Sequence, residues 1–271
     1  MARRTVGRIE VVALTDARGP FLAWHDAFPD AGDAEWALAR ELDPAAFGDD
    51  GRWWLDFRCF LILGDRVTLV DTGIGPSDSP AATWTPVPGS LPGLLAEVGV
   101  GLEDVDTVVL THLHTDHCGW AVRDGVPAFP NARYVLQRAE VLAVTDPLAS
   151  YAVAPLRAAG QLAEVDGEVV LERSPTGETV TVTPTPGHTP GHQSVVVDGG
   201  GTQVVVTGDA LVHAVQLVAP GVAYVYEDDQ RQARETREAL LARTAAAHGY
   251  LATPHLTEPF LPATPPDPTN P

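Results

Sequence analysis

Residues 111–120 read Thr-His-Leu-His-Thr-Asp-His-Cys-Gly-Trp, which places three imidazoles and a carboxylate within six positions directly after the apolar run Val108-Val109-Leu110. Histidine nitrogen and carboxylate oxygen are the donors that zinc and its borderline neighbours prefer, and a softer site would carry more thiolate than the single Cys118. Alternation along an extended chain sends His112 and His114 to one side, while Asp116 and His117 fall in the turn that must follow and reach a second position. The spacing predicts a cluster built for two ions. A lone histidine on an apolar face is usually a satisfied core residue, but only nine histidines are spread over 271 residues, and chance does not group four polar donors in this way.

Further donors lie downstream. Thr185-Pro186-Gly187-His188-Thr189-Pro190-Gly191-His192 is a Gly/Pro-stiffened loop after the Val180–Thr183 run, rigid enough to hold a histidine in fixed geometry. Thr207-Gly208-Asp209-Ala210 closes a four-residue β run and puts Asp209 at a strand end, where a carboxylate can bridge two ions. Thr253-Pro254-His255 follows the last helix. His192 reads as a brace for its loop, because the donor set is complete without it.

In this order, His-x-His-x-Asp-His, Pro-Gly-His, Gly-Asp and a C-terminal His resemble the metallo-β-lactamase superfamily, and Val70-Asp71-Thr72-Gly73 matches its upstream signature. The resemblance covers roughly residues 60–256. It implies an α/β chain folded as an αβ/βα four-layer sandwich, two mixed β-sheets flanked by helices, with a metal site at one sheet edge. Carried over position by position, it implies that His112, His114 and His188 hold one ion, that Asp116, His117 and His255 hold the other, and that Asp209 bridges them. Asp71 falls at a non-ligand position and is expected to orient a ligand histidine through its free ring N–H. The cofactor implied is a pair of divalent ions, Zn2+ first, with Fe, Mn or Co as alternatives.

A metal lowers the pKa of a bound water from about 15.7 to about 7, so a metal-bound hydroxide can replace a protein nucleophile. Lactones, esters, thioesters and phosphotriesters are all within its reach, and Asp116 can carry a proton to the leaving group. His114 stands where the redox branch of the superfamily carries glutamate, and true β-lactamases lack the aspartate bridge that Asp209 would supply, so the resemblance argues against both branches. The stretches Asp116–Trp120 and Gly208–Leu217 look like the methyl parathion hydrolase and quorum-quenching lactonase branch. There the resemblance implies hydrolysis of a hydrophobic lactone or ester, catalysed with Asp116 and Asp209, with phosphotriesterase side activity.

One departure stands out. Lactonases of one type carry a tyrosine three residues after the bridging aspartate, as a donor to the substrate carbonyl, and this chain has Val212. His213 is a candidate replacement, although strand alternation would equally turn it away. Trp120 lines either the pocket or the core. Two rival functions are a glyoxalase-II-like thioesterase and a non-catalytic lactone-binding effector. The first normally needs a basic glutathione site, and residues 138–175 offer only Arg138, Arg157 and Arg173.

The whole chain narrows the choice. A formal net charge of −19 repels polyanions and argues against nucleic acid as a partner. The sequence contains no lysine, which removes Schiff-base chemistry. With 45% hydrophobic and 20% charged residues it is globular, and no apolar run suggests a membrane span. Two distant cysteines, Cys59 and Cys118, give no disulfide framework, in keeping with a cytoplasmic protein. The family resemblance favours a homodimer, with exposed aromatics as its contact.

The elements that must position these donors are strands alternating with helices. Strand-like runs recur at Ile9–Leu14, Cys59–Leu63, Val67–Val70, Val108–Leu110, Tyr134–Leu136, Val180–Thr183, Gln193–Val197 and Val204–Thr207. The best helix covers 228–247, with Asp228 or Asp229 as its cap and Gly249 just beyond. Residues 19–57 hold Trp24, Phe28, Trp36, Phe47, Trp53, Trp54 and Phe57 among Gly, Asp and Pro, and read as a long aromatic loop that forms a satellite core, a lid or a dimer contact. One hydrolase domain is expected through residue 262, followed by a Pro-rich flexible tail at 263–271.

Overall fold

The computed structural model describes residues 1–263, so all but the first position of the expected tail lies outside the described residues. Two sheets carry the chain. In the first, β1 (Arg3–Val6), β2 (Ile9–Ala23), β3 (Arg52–Leu63) and β4 (Val67–Val70) run antiparallel in sequence order, and β5 (Thr107–Val109) joins β4 in parallel. A small hairpin of β6 (Val122–Arg123) and β7 (Val126–Pro127) precedes β8 (Arg133–Gln137) and β9 (Leu162–Val165), which extend the same sheet in parallel. The second sheet orders β10 (Val169–Arg173), β11 (Thr179–Pro184), β12 (Gln193–Asp198), β13 (Gln203–Val206), β14 (Tyr250–Ala252) and β15 (Phe260–Pro262), antiparallel except between β13 and β14.

Period-two alternation explains the layers. Val11, Ala13, Phe60, Ile62, Val70 and Val109 point from the first sheet to the second, where Val180, Val182, Val195, Val197, Val204 and Val206 meet them. Their neighbours Val12, Leu14, Leu61, Leu69 and Val108 face the other way, onto the helical residues Leu91, Leu95 and Leu156. Each such Val or Leu contributes about 1.5–3 kcal/mol on burial.

In chain order the helices are α1 (Trp24–Ala27), α2 (Asp33–Leu42), α3 (Leu91–Val98), α4 (Arg138–Ala143), α5 (Ala154–Ala158), α6 (Val215–Val218) and α7 (Gln230–Ala246). α7 covers the outer face of the second sheet through Leu240 on Val205 and Leu251. The Asp229 side chain accepts the Gln232 N–H at 2.9 Å and caps it, worth about 1 kcal/mol. The αβ/βα sandwich implied by the motifs is therefore the fold observed.

Residues 19–57 are not a loop. β2 and β3 run on past the sandwich as a two-stranded ribbon paired as far as Ala23 opposite Arg52, and α1 and α2 close its tip. Phe28, Trp36, Phe47, Trp53 and Phe57 form a third core there with Val212, Val215, Tyr224 and Leu256. The ribbon's register shifts between Thr15 and Ala17. This bulge turns the Asp16 carboxylate inward, where it accepts the N–H of Ile74 at 2.8 Å and of Leu91 at 2.6 Å.

Candidate metal centre

Five strands end at one edge of the sandwich. Asp71 follows β4, residues 112–117 follow β5, His188 follows β11, Asp209 follows β13 and His255 follows β14. The apolar strands fix the frame, and the polar donors sit on the turns just beyond it, where ligands of α/β sheets gather. Gly208 adopts φ +50, and a Cβ there would lie 2.6 Å from His192 Nε2, so the turn that presents Asp209 requires glycine.

The donors form two adjoining groups, His112, His114, His188 and Asp209, and then Asp116, His117 and His255, with the ligand atoms of each within 4.8 Å of one another. Asp209 touches both groups. Its Oδ2 lies 3.2 Å from His188 Nε2 and 3.8 Å from His112 Nε2, and its Oδ1 lies 3.2 Å from His117 Nε2 and 3.1 Å from His255 Nε2. Asp116 Oδ2 stands 3.6 Å from His117 Nε2 and 3.7 Å from His255 Nε2. His114 turns its Nδ1 to within 2.9 Å of His188 Nε2. The buried atoms His112 Nε2, His117 Nε2 and Asp209 Oδ1 have no hydrogen-bond partner among the described residues. Unmatched polar atoms of this kind cost about 1–3 kcal/mol each, and divalent cations fit the donor set that surrounds them.

The far nitrogens are tied down. His117 Nδ1 faces Asp71 Oδ2 at 2.8 Å, and Asp71 also accepts the Thr111 N–H at 2.7 Å. His255 Nδ1 faces the Asp56 carbonyl of β3 at 2.8 Å, and the buried Arg58 guanidinium donates to the carbonyls of Thr253 and Leu256, each at 2.7 Å, which fixes the loop around His255. His192 Nδ1 sits 2.9 Å from the Thr185 carbonyl, and its Nε2 accepts the Asp209 N–H at 2.9 Å. It braces its loop and the backbone of Asp209 together.

Burial favours the neutral imidazole at His112 and His114. It pushes His114 down to about 3, assisted by the neighbouring His188, and holds His112 well below its ordinary value, assisted by His117 and His114. At His117 and His255 burial is outweighed by the Asp209 and Asp116 carboxylates, which raise both, so these two release a proton when a metal binds. Burial also opposes charge on Asp209, yet His117, His255 and His188 together hold its carboxyl well below the usual range. Neutral imidazole and ionised carboxylate are the forms that bind metal.

A cavity of ≈ 330 Å³ opens onto this cluster. Its walls are Phe21, Trp53, Leu55, Trp84, Leu148, Tyr224 and Tyr226, with His114, Thr115, Asp116, Asp209 and His255 among its lining. Among the described residues, no arginine lines it. The Trp84 indole N–H donates to Thr115 Oγ1 at 2.9 Å, between two of the donors. The ribbon thus supplies Phe21, Trp53 and Leu55, whereas Trp24 and Trp54 lie outside the cavity lining.

Two residues that the sequence left open between the pocket and another place lie outside the cavity lining. His213 is buried among Phe28, Trp36, Phe47 and Trp53, with ring centroids 5.1–5.7 Å away, and its Nδ1 accepts the Val215 N–H at 3.0 Å. The chain turns at Gly208–Ala210 before reaching it, so strand alternation does not apply. Trp120 packs in the core beneath the helices of the first sheet. Tyr224, which carries no motif, is the more buried of the two phenols that line the cavity, the other being Tyr226; its ring plane lies within 2° of parallel to His188 at 6.0 Å.

A two-sheet sandwich with His and Asp donors gathered at its strand ends defines a metallo-β-lactamase fold. The metallo-beta-lactamase superfamily is matched over residues 58–255, and the chain belongs to it. A probable metallo-hydrolase of Mycobacterium tuberculosis is 31% identical over 186 residues, 57% of this chain and 57% of that protein. An N-acyl homoserine lactonase of a Bacillus species is 35% identical over 107 residues, 39% of this chain and 38% of the lactonase. The chain thus spans little more than half the length of the first curated relatives it matches. Among solved structures, the hydrolase AbOPH of the beta lactamase superfamily superposes with a TM-score of 0.77 at 26% identity, covering 98% of both chains. AidC, a dizinc quorum-quenching lactonase, shares the fold with a TM-score of 0.75 at 18% identity and 98% coverage of both chains.

Proposed function

We propose that this chain is a dinuclear metal hydrolase that opens a hydrophobic lactone or ester. The carrying observation is the pair of Asp209 oxygens, one turned to His188 and His112 and the other to His117 and His255. In this reading His112, His114 and His188 hold one ion, Asp116, His117 and His255 hold the second, and Asp209 bridges. The pair would lower the pKa of a water bound there and polarise the substrate carbonyl.

The protein's own groups do the rest. The aromatic walls take up the apolar part of the substrate and exclude water. Burial, with Asp209 and Asp116 nearby, pushes the Tyr224 hydroxyl well above its ordinary value, so it stays protonated and donates to the carbonyl oxygen as negative charge develops. Asp116, on the cavity lining, would take the proton that the attacking water loses and pass it to the leaving alkoxide. A cavity without arginine disfavours an anionic substrate such as a glutathione thioester. The lactonase likenesses support the choice of a lactone.

The test is proton release at neutral pH when zinc-loaded protein meets a long-chain acyl homoserine lactone, with metal-stripped protein as control. Rapid metal-dependent acid release is the expected result. A protein verified to hold two ions yet releasing no acid would overturn the lactone reading and leave aryl esters and phosphotriesters to be tried.

A further inference from the structure

Glu140 is buried in the first turn of α4 and belongs to neither donor group. Its two carboxylate oxygens serve different loops. Oε1 accepts the Leu113 N–H at 2.8 Å, midway between His112 and His114. Oε2 accepts the Thr189 hydroxyl at 2.7 Å and the Gly191 N–H at 3.1 Å, just beyond His188. The α4 backbone presses so close that a Cβ at Gly191 would lie 2.0 Å from Glu140 N.

We infer that Glu140 is a positioning residue that sets the spacing of His112 and His114 against His188, and so the affinity of that one ion position. The inference rests on the metal-centre reading above. The two loops leave different sheets, after β5 and after β11, and Glu140 ties both of them through a single rigid group. The other donor group has braces of its own, Asp71 on His117 and Asp56 on His255. The consequence of losing Glu140 is therefore local to one position.

The chemistry makes a sharp variant available. An ionised carboxylate only accepts, and here each oxygen receives a backbone N–H. Glu140→Gln keeps the volume but must turn its NH2 toward either Leu113 N–H or Gly191 N–H, so one loop loses its acceptor whichever way the amide lies. Thr189→Val removes one donor at nearly constant volume and serves if the first variant does not fold.

The experiment titrates zinc into metal-stripped protein against a chromophoric chelator. His188→Ala and His255→Ala identify which binding step belongs to which position. Glu140→Gln is expected to weaken the step that His188→Ala abolishes by about 10- to 100-fold and to leave the other step unchanged, with Thr189→Val moving the same step less. Unchanged binding of both ions in either variant, or equal weakening of both steps, overturns the inference while the metal reading stands. A wild-type protein that takes up no zinc overturns both.

Discussion

His117 Nδ1 lies 2.8 Å from the Oδ2 of Asp71, a residue 46 positions earlier in the chain. Asp71 holds this place at φ +59, a left-handed backbone that non-glycine residues rarely adopt, and the Thr111 N–H and hydroxyl engage its carboxylate as well. The acceptor fixes a proton on Nδ1, so Nε2 is the nitrogen that His117 would offer to an ion beside Asp209. Asp71→Asn is expected to weaken the ion position containing His117 by about 10- to 100-fold, read by the same zinc titration. An unchanged second step would show that His117 keeps its tautomer without help.

Asp209→Ala removes the one side chain that both groups share. The variant is expected to bind fewer than two ions and to lose turnover; metal analysis after gel filtration checks the first and the acid-release assay the second. Two tightly held ions with full turnover would sink the bridging role.

Tyr224→Phe deletes a hydroxyl and little else. A lost oxyanion donor costs about 10²–10³ in turnover, so kcat should fall by that order while zinc content and melting temperature stay put. A variant as fast as wild type would return the donor role to the metal pair alone.

Phe21→Ala opens the cavity wall, and Trp54→Ala alters a tryptophan outside it. The first is expected to raise KM for a long-chain substrate about tenfold, equivalent to about 1.4 kcal/mol of binding, with kcat nearly unchanged. The second should leave both constants alone. Equal effects from the two would argue that the ribbon acts through stability and not through contact.

His213 gives a pH prediction. Burial holds it down to about 3 in the folded protein against an ordinary 6.5. The unfolded chain thus binds a proton that the folded chain refuses, so this contribution is complete above about 6.5 and is lost as pH falls from there towards 3. At pH 5 the loss is about 2 kcal/mol. His213→Asn retains an acceptor for the Val215 N–H and removes the titration. The stability gap between wild type and variant, measured by urea unfolding, should therefore narrow by that amount between neutral pH and pH 5.

The donor set was legible because its residue types are rare in this chain and their spacing is local. His188, Asp209 and His255 each follow a recognisable strand or apolar run with Gly or Pro punctuation. The residues that support them were not legible. Glu140 looks like any glutamate on a short helix, and Arg58 and Asp56 sit in a strand whose Trp-Trp and charged residues break the alternation expected of one. The ribbon was missed for a similar reason, since Thr15, Asp16, Arg18, Gly19 and Pro20 interrupt β2 where the bulge occurs. Tyr224 and Trp84 reach the cavity only through tertiary packing, which no short-range pattern encodes.

Strand β3 places Trp53 and Leu55 against the cavity, and the next residue, Asp56, holds His255 through its carbonyl. One short stretch of backbone is thus both the gauge of what fits and the mount of a candidate metal ligand. Any free-energy coupling between the two is reciprocal. On the metal-centre proposal, a molecule that wedges the wall would shift the grip on the ion and the ion would in turn stiffen the wall, so metal retention would report cavity occupancy even for molecules too inert to be cleaved.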